Sequence, residues 1–573
     1  MTIKVFPKLS PYKVAILNPY LQNGLTEIAE VEAARRMILA GDRLGLTVKM
    51  FARSEELYEY GPDFVIAHSY QDPKLTYFPT YGTLTMPPMW VENIPRFKRN
   101  ILSYDCYITI SETVRNLIDR WVKDKPKQLQ HVYAAFSAPY TPFSPQDLSL
   151  SHAAYLGTNW DGQRHQDFFQ QFAQDNHLTC YGPKVSWQNS ISTAMYGGEV
   201  PFDGLSVFET YRKSGIGLGI NHKSFDKEGI PTSRTFEIPA SSAVMISSHN
   251  NTVEEIYGDT ALYVDTGLPS RELAQNVKHH VEWVRNNPQE SLEMARAANQ
   301  IFNDKLCLEV FLQNLVEHFE KNFKSIKPAK LSKETSVSIS PPSIEVILFC
   351  NATENKIEDS LLQILKQTLT PKTLNIVHGA GEAISANLKD QIQQLKSRNV
   401  SIKTTIQHDC SPLGKIEAIR CIAMNSKADW LAILDPTDKI YPNHFDSCIN
   451  TYRHHKTIDE PSRDNTFAVF SGIIDRSTDP KTDLPELYED KYLIKRNERL
   501  RLGFFPLSGT PAGKEPGNLG LGSTLLHLPA LQAKLDNILS LDQLLTYIEN
   551  HKSTLFTSSV TYERNISLTE AKQ

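Results

Sequence analysis

Short apolar runs alternate with longer stretches of helical periodicity along much of the chain. Residues 12–18 (YKVAILN) form a run suited to a buried strand that enters a loop at Asn23-Gly24, and apolar positions then recur at helical spacing from Thr26 to about Leu44. Residues 63–67 (DFVIA) and 105–110 (DCYITI) predict two more strands, each followed by polar or helical sequence. Strands that alternate with helices imply a parallel sheet. Residues 137–150 (SAPYTPFSPQDLSL) carry three prolines and little periodicity, which suits a hinge between two lobes. A second alternation begins at 153 with AAYLGTNW and continues through LTCYGP, GIGLGIN, AVMISS and ALYVD. A long helical segment, about 287–325, closes it.

Residues 326–343 (IKPAKLSKETSVSISPPS) break this pattern with Lys, Ser and Pro, which is linker chemistry. Beyond them SIEVILFCN, LNIVHG and DWLAILD predict strands, with helices at about 357–367 and 414–427. The expected fold class is α/β throughout. Residues 1–140 and 141–325 form two Rossmann-like lobes, 326–343 a linker, and 344–573 a further α/β domain.

At 573 residues the chain exceeds what one core supports. Hydrophobic residues make up 40% and charged residues 22%, as in ordinary globular proteins. The formal net charge of -5, without a basic stretch, leaves no electrostatic footprint for a nucleic-acid partner. No signal peptide or run of about 18 apolar residues is visible. The seven cysteines are scattered without a CxxC pair, which suits a reducing compartment. Together these predict a cytoplasmic location, with peripheral attachment to the inner face of a membrane as a further expectation.

Candidate chemistry concentrates in 153–265. Gly157 and Thr158 follow a strand, where small residues let a phosphate approach backbone N–H groups, although a plain tight turn has the same sequence. Tyr181-Gly182-Pro183 and the stretch around Val200 are similar breaks that could expose backbone to a base or serve only as turns. Lys223 and Arg234 flank a helix start. Arg234 and Glu237, three residues apart, share a face in its first turn. A cation there can pair a diphosphate and a carboxylate can accept ribose hydroxyls; the alternative is an exposed ion pair of small consequence. In the first lobe, His68 lies just past a strand end, where it could face a cleft or simply pack. Asp105 and Glu27 are lesser candidates, and the aromatic, proline-rich run 78–91 (FPTYGTLTMPPMWV) suits either an acceptor-facing loop or packing.

The run RTFEIPASSAVMIS resembles the R-x-F-E-x-x-A-x-G/S-A signature of GT-B glycosyltransferases, in particular the CgeB-like (spore maturation protein) group. AAYLGTNWDGQRH, CYGP, GEVPFDGLSVFETYRKSGIGL and YGDTALYVD are similar to the same family in the same order, over roughly 150–320. The resemblance implies a hexosyltransferase-type enzyme whose second lobe binds a nucleotide-diphosphate sugar. Glu237 would hold the ribose. Lys223 and Arg234 would neutralise the leaving group, so that no metal or other cofactor is needed. Residues matched to that lobe are Gly157, Thr158, Tyr181, Gly182, Val200, Lys223, Arg234 and Glu237, and the catalytic candidates are His68, Arg234 and Lys223. The acceptor would be a glycan, a lipid-linked glycan or a glycoprotein. Ser242 stands where a glycine is common.

Residues 344–570 resemble family 2 (GT-A) glycosyltransferases through the segments beginning SIEVILFCN, GKIEAIRCIAMNSKADWLAILDPTDKIYPNHF and LGSTLLHLPAL. The resemblance implies a D-x-D metal motif, yet Thr437 stands at its second carboxylate, between Asp435 and Asp438; a hydroxyl is a poor ligand for magnesium or manganese. His378-Gly379-Ala380-Gly381 replaces an acidic segment, and Asp542 remains as a candidate general base. Two readings follow: a degenerate module that binds acceptor or mediates assembly, or a second transferase site that uses magnesium or manganese. A non-catalytic carbohydrate-binding or scaffold protein is the rival for the whole chain.

Overall fold

The computed structural model describes residues 6–23, 26–53, 55–70, 72, 74, 76, 78–122, 131–133, 137–157, 166–187, 191–323, 342–350, 354–379, 388–407, 412–458, 466–477, 499–504, 519–551 and 554–565. Among them the strands form three sheets.

The first sheet comprises β1 (Lys13–Leu17), β2 (Thr47–Phe51), β3 (Phe64–Ala67), β4 (Thr80–Thr83), β5 (Cys106–Thr109) and β6 (His131–Tyr133), all parallel, in the order β2-β1-β3-β4-β5-β6. A parallel sheet is covered on both faces, so its strands read as unbroken apolar runs; KVAIL and FVIA are of this kind. The run 78–91, open between loop and packing by sequence, contains β4, whose four residues are all buried. The helix expected from Thr26 starts at Ala29, because Ile28 is extended.

The second sheet comprises β7 (His152–Leu156), β8 (Leu178–Tyr181), β9 (Tyr196–Gly198), β10 (Gly215–Gly219), β11 (Val244–Ser248) and β12 (Leu262–Val264), again all parallel, in the order β12-β11-β10-β7-β8-β9. Two consecutive all-parallel lobes are the double Rossmann-like arrangement expected from the sequence. In each sheet the order reverses once, between β1 and β3 and between β7 and β10. Ligands of open α/β sheets bind outside the carboxyl ends of the strands at such reversals.

The Arg234–Ala240 helix lies directly on β10. A Cβ at Gly217 would stand 2.4, 2.6 and 2.8 Å from three side-chain atoms of Ile238. Gly217→Ala should therefore destabilise the chain by about 1–3 kcal/mol, read as a lower urea midpoint, and Ile238→Val in the same chain should restore part of it. An unchanged midpoint would contradict this packing.

The closing helical segment is not continuous. Helices Ser270–Asn286 and Pro288–Lys305 cover the second lobe, a break follows at Leu306-Cys307, and the Leu308–Asn322 helix crosses back. Its Leu308, Phe311, Leu312, Leu315 and Phe319 join Val14, Ile16, Phe64, Ile66 and Tyr81 in the first lobe's core. The two crossings are tied together: Leu308 N–H donates to Ala138 O at 2.9 Å, the Ser137 hydroxyl to Leu306 O at 2.7 Å, and Tyr140 N–H to Glu309 Oε2 at 2.6 Å. Ser242 adopts φ 64°, a left-handed conformation that accounts for the usual glycine. Its hydroxyl accepts from Ser144 N–H at 3.0 Å, which ties this turn to the 137–150 crossing.

The linker falls outside the described residues except for its last two. The third sheet contains β13 (Ile344–Cys350), β14 (Thr373–Gly379), β15 (Ser401–Gln407), β16 (Trp430–Leu434), β17 (Lys439–Ile440), β18 (Ala468–Ser477), β19 (Arg499–Phe504), β20 (Thr524–His527) and β21 (Thr554–Asn565). Its order is β15-β14-β13-β16-β20-β18-β21-β17, with β19 beside β18. The first four strands are parallel and β20 opens a mixed half.

Candidate functional site

Arg234 sits at the reversal point of the second sheet. Its Nη1 donates to Leu156 O, at the end of β7, and its Nη2 to Ile220 O, just past β10, each at 3.1 Å. The guanidinium stacks 4.9 Å from the centre of the Tyr155 ring. Two neighbouring strands thus end on one cation, with Gly157 against it: a Cβ there would stand 3.1 Å from Nη1. Gly182 is packed as closely. It has φ 141°, and a Cβ on it would lie 2.3 Å from Gly157 O. Trp187 Nε1–H donates to that same carbonyl at 3.0 Å. Tyr181 and Val200 are half-buried beside the Leu156, Tyr211 and Ile238 cluster. Thr158 lies outside the described residues.

Lys223 begins the short Lys223–Lys227 helix and is exposed, while the loop beneath it is held firmly. Asp226 Oδ1 accepts from Asn221 Nδ2 at 3.0 Å and from the Ser248 hydroxyl at 2.9 Å, and the Thr232 hydroxyl donates to Asn221 Oδ1 at 2.6 Å. Burial raises the Asp226 carboxyl above the usual carboxylate range, and Asn221, Ser248 and Asn250 oppose this by donating to it.

Glu237 lies in the first turn of the Arg234–Ala240 helix, as expected, and it faces the first lobe. Arg36, on the Ala29–Leu44 helix, donates from Nη1 to Glu237 Oε1 at 2.7 Å and from Nη2 to Glu32 Oε1 at 3.2 Å. Glu32 in turn accepts the Gly204 N–H at 3.0 and 3.1 Å, and the Arg36 guanidinium lies 5.0 Å from the centre of the Phe208 ring. Arg36, Glu32, Gly204 and Phe208 were not apparent from the sequence. The available signal was two charges, at 32 and 36, on the stripe of the helix that also buries Ala33, Met37 and Ala40.

His68 follows β3 at the reversal point of the first sheet and is 4% exposed. Its Nδ1 lies 3.0 Å from Glu30 O. A carbonyl only accepts, so Nδ1 carries the proton and the ring tethers the first turn of the Ala29–Leu44 helix. Burial lowers the pKa of His68 to about 4, partly opposed by that hydrogen bond. A group this acidic is a poor proton acceptor near neutrality. It has a consequence for stability. The unfolded chain binds the proton between pH 6.5 and 4 and the folded chain does not, so this contribution is intact above the unfolded value and lost on acidification. Between pH 7 and 5 the loss should be about 2 kcal/mol. His68→Asn keeps the Nδ1-like donor without a titrating ring, so its urea midpoint should fall less than the wild type's over that range. Parallel falls would rule this out.

Asp105 is committed to structure: it pairs with Lys74 Nζ at 2.6 Å and accepts Thr80 N–H at 2.8 Å. Glu27 is exposed.

In the C-terminal third, Asp435 follows β16 and closes a turn: its Oδ1 accepts Thr437 N–H at 3.0 Å and the Thr437 hydroxyl at 2.8 Å. Lys415 Nζ stands 3.8 Å from Oδ2. Asp438 accepts the Tyr562 hydroxyl. Asp542 is exposed in the first turn of the Leu541–Asn550 helix. Among the described residues no group of three His, Cys, Asp or Glu side chains is placed to hold a metal ion, and no helix is long and apolar enough to cross a membrane. The six cysteines among them are free.

Residues 164–313 match a family model described as Glycosyl transferase-like. No curated protein matches the chain. Among solved structures the chain is similar to sucrose-phosphate synthase (tll1590) from Thermosynechococcus elongatus, at 11% identity over 55% of this chain and 100% of that one, with a TM-score of 0.40. It is also similar to Anabaena Alr3699/HepE in complex with UDP-glucose, at 12% identity over 54% and 100% with a TM-score of 0.38. A third is S. aureus TarS 1-349 in complex with UDP, at 13% identity over 39% and 61% with a TM-score of 0.25.

Proposed function

We propose that the chain is a GT-B glycosyltransferase of the CgeB-like type, transferring a hexose from a nucleotide-diphosphate sugar to a glycan or glycoconjugate. The second lobe holds the donor and the first lobe presents the acceptor. One observation carries the reading: at the strand-order reversal of the second sheet, Arg234 is fixed on the ends of β7 and β10, and Glu237, one turn on, faces the other lobe. The glycosyltransferase-like match over 164–313 contains both residues.

In this reading Arg234 is a fixed positive charge beside the pyrophosphate, with N–H groups to spare beyond the two it gives to carbonyls. Lys223, exposed on the neighbouring loop, reaches the leaving phosphate as charge develops. Glu237 accepts the ribose hydroxyls. Gly157, with Thr158 after it, and Gly182 bring backbone close to the donor, and Tyr181 and Val200 flank its base. His68 fixes the start of the helix that carries Arg36. With two cations in place the transfer needs no divalent metal, so activity should persist in excess EDTA. Loss of activity restored by manganese would contradict this.

For residues 344–573 we favour a degenerate GT-A-like module that binds acceptor or aids assembly. Asp435 is spent on its own turn with Lys415 beside it, and Asp438 on Tyr562, which leaves poor ligands for magnesium or manganese. Location in the cytoplasm, at the inner membrane face for a lipid-linked acceptor, fits such a substrate.

A thermal-shift screen of nucleoside diphosphates and their sugars tests the main reading. A ligand at 100 Kd should stabilise the chain by about 2.7 kcal/mol. A chain that no nucleotide stabilises would be a carbohydrate-binding or scaffold protein instead.

A further inference from the structure

Glu237 is an unusual ribose acceptor in one respect: a residue of the opposite lobe already holds it. Arg36 is 2% exposed along its side chain and Glu237 10%, so their 2.7 Å contact is shielded from water. Arg36 also donates to Glu32 and packs over Phe208 of the second lobe, and Glu32 is pinned by the Gly204 N–H. The guanidinium therefore cannot swing away without leaving two carboxylates behind. It engages only Oε1 of Glu237; among the described residues no donor is bonded to Oε2. A guanidinium fork held on three sides fixes the plane of the carboxylate it touches, and Oε2 remains for another donor.

Resting on the donor reading above, we infer that Arg36 is a positioning residue of the first lobe. It sets the orientation in which Glu237 of the second lobe accepts the ribose hydroxyls, so that recognition of the pentose depends on the two lobes being docked. Arg36 does not touch the donor. It acts through Oε1 and leaves Oε2 for the sugar. Pyrophosphate binding, which belongs to Arg234 and Lys223, is independent of it.

That division supplies a test that a merely structural role would not pass. The affinities of the full chain for uridine, adenosine and guanosine diphosphates and for their 2′,3′-dideoxy analogues are measured by calorimetry. The wild type should prefer the ribose form of the nucleotide it binds by about tenfold or more. Glu237→Ala should abolish this preference. Arg36→Ala should abolish it too while leaving affinity for the dideoxy analogue within about twofold, and the double variant should be no worse than either single one. Arg36→Lys, which keeps the charge but loses the fork, should retain a reduced preference. It also carries the test if Arg36→Ala does not fold. An undiminished ribose preference in Arg36→Lys and Arg36→Ala, with the preference lost in Glu237→Ala, would overturn the inference and leave the donor reading standing. Tighter binding in Arg36→Ala would likewise overturn it, by showing that Arg36 competes with the ribose. Failure of the wild type to bind any of the three diphosphates, or an unaltered preference in Glu237→Ala, would overturn the donor reading itself.

Discussion

Arg234→Ala should lower stability by about 4 kcal/mol and weaken donor binding by more than tenfold. The stability loss follows from geometry. One guanidinium satisfies the carbonyls of Leu156 and Ile220 at the ends of two adjacent strands. Hydrogen bonds from a charged donor contribute about 1.5–3 kcal/mol each. The stack on Tyr155 contributes about 1 kcal/mol more. In the proposed donor reading, the affinity loss follows from removing the fixed charge that would pair the pyrophosphate. Arg234→Lys separates the two effects: one ammonium on a flexible stem replaces the charge but cannot bridge both carbonyls. It should recover most of the affinity and less than half of the stability. Urea unfolding and calorimetry with the nucleoside diphosphate that the thermal-shift screen selects would show this, and an unchanged midpoint together with an unchanged Kd in Arg234→Ala would refute it.

Glu237→Ala should cost about 3 kcal/mol apart from any effect on donor binding. Removing one partner of a buried ion pair leaves the other charge uncompensated, at about 3–5 kcal/mol. Glu32, still beside Arg36, holds the loss to the lower end. Glu237→Gln keeps an acceptor oxygen for Arg36 and should lose about half as much. The interlobe contact should loosen with the charge, so protease cleavage of the 137–150 crossing should quicken in Glu237→Ala relative to Glu237→Gln. Equal unfolding midpoints for wild type and Glu237→Ala would show that the pair is not buried in solution.

Residues that form strands by being apolar on both faces were legible in the sequence: KVAIL, FVIA, CYIT, VMISS and IEVILFC all became central strands. β4 is ambiguous in the sequence because TYGT carries one large apolar residue and lies between prolines. It is buried through partners far along the chain, Tyr81 meeting Phe64 and His318. The site divides the same way. Arg234 and Glu237 are three residues apart, so helical geometry alone places them together. Arg36 is 201 residues from Glu237, and no local pattern encodes such a pairing. What the sequence did carry was an anomaly, an i, i+4 pair of charges on the buried stripe of an amphipathic helix, which marks a partner without naming it. The turn at Asp435 is a local matter of the spelling D-P-T-D, while the engagement of Asp438 by Tyr562 depends on β21 returning beside β17.

The Leu308–Asn322 helix has a consequence for the order in which the chain can mature as it is made. Its apolar face completes the core of a lobe whose last strand ends at Tyr133. The nascent first lobe therefore leaves the ribosome with part of its sheet bare and stays so until about 190 further residues have followed. At usual elongation rates that is roughly ten to forty seconds of exposure. During this interval the second lobe, whose sheet and covering helices lie within 152–305, can close first. The N-terminal half is thus expected to be the later of the two to become protease-resistant during synthesis, and the one that depends on a chaperone.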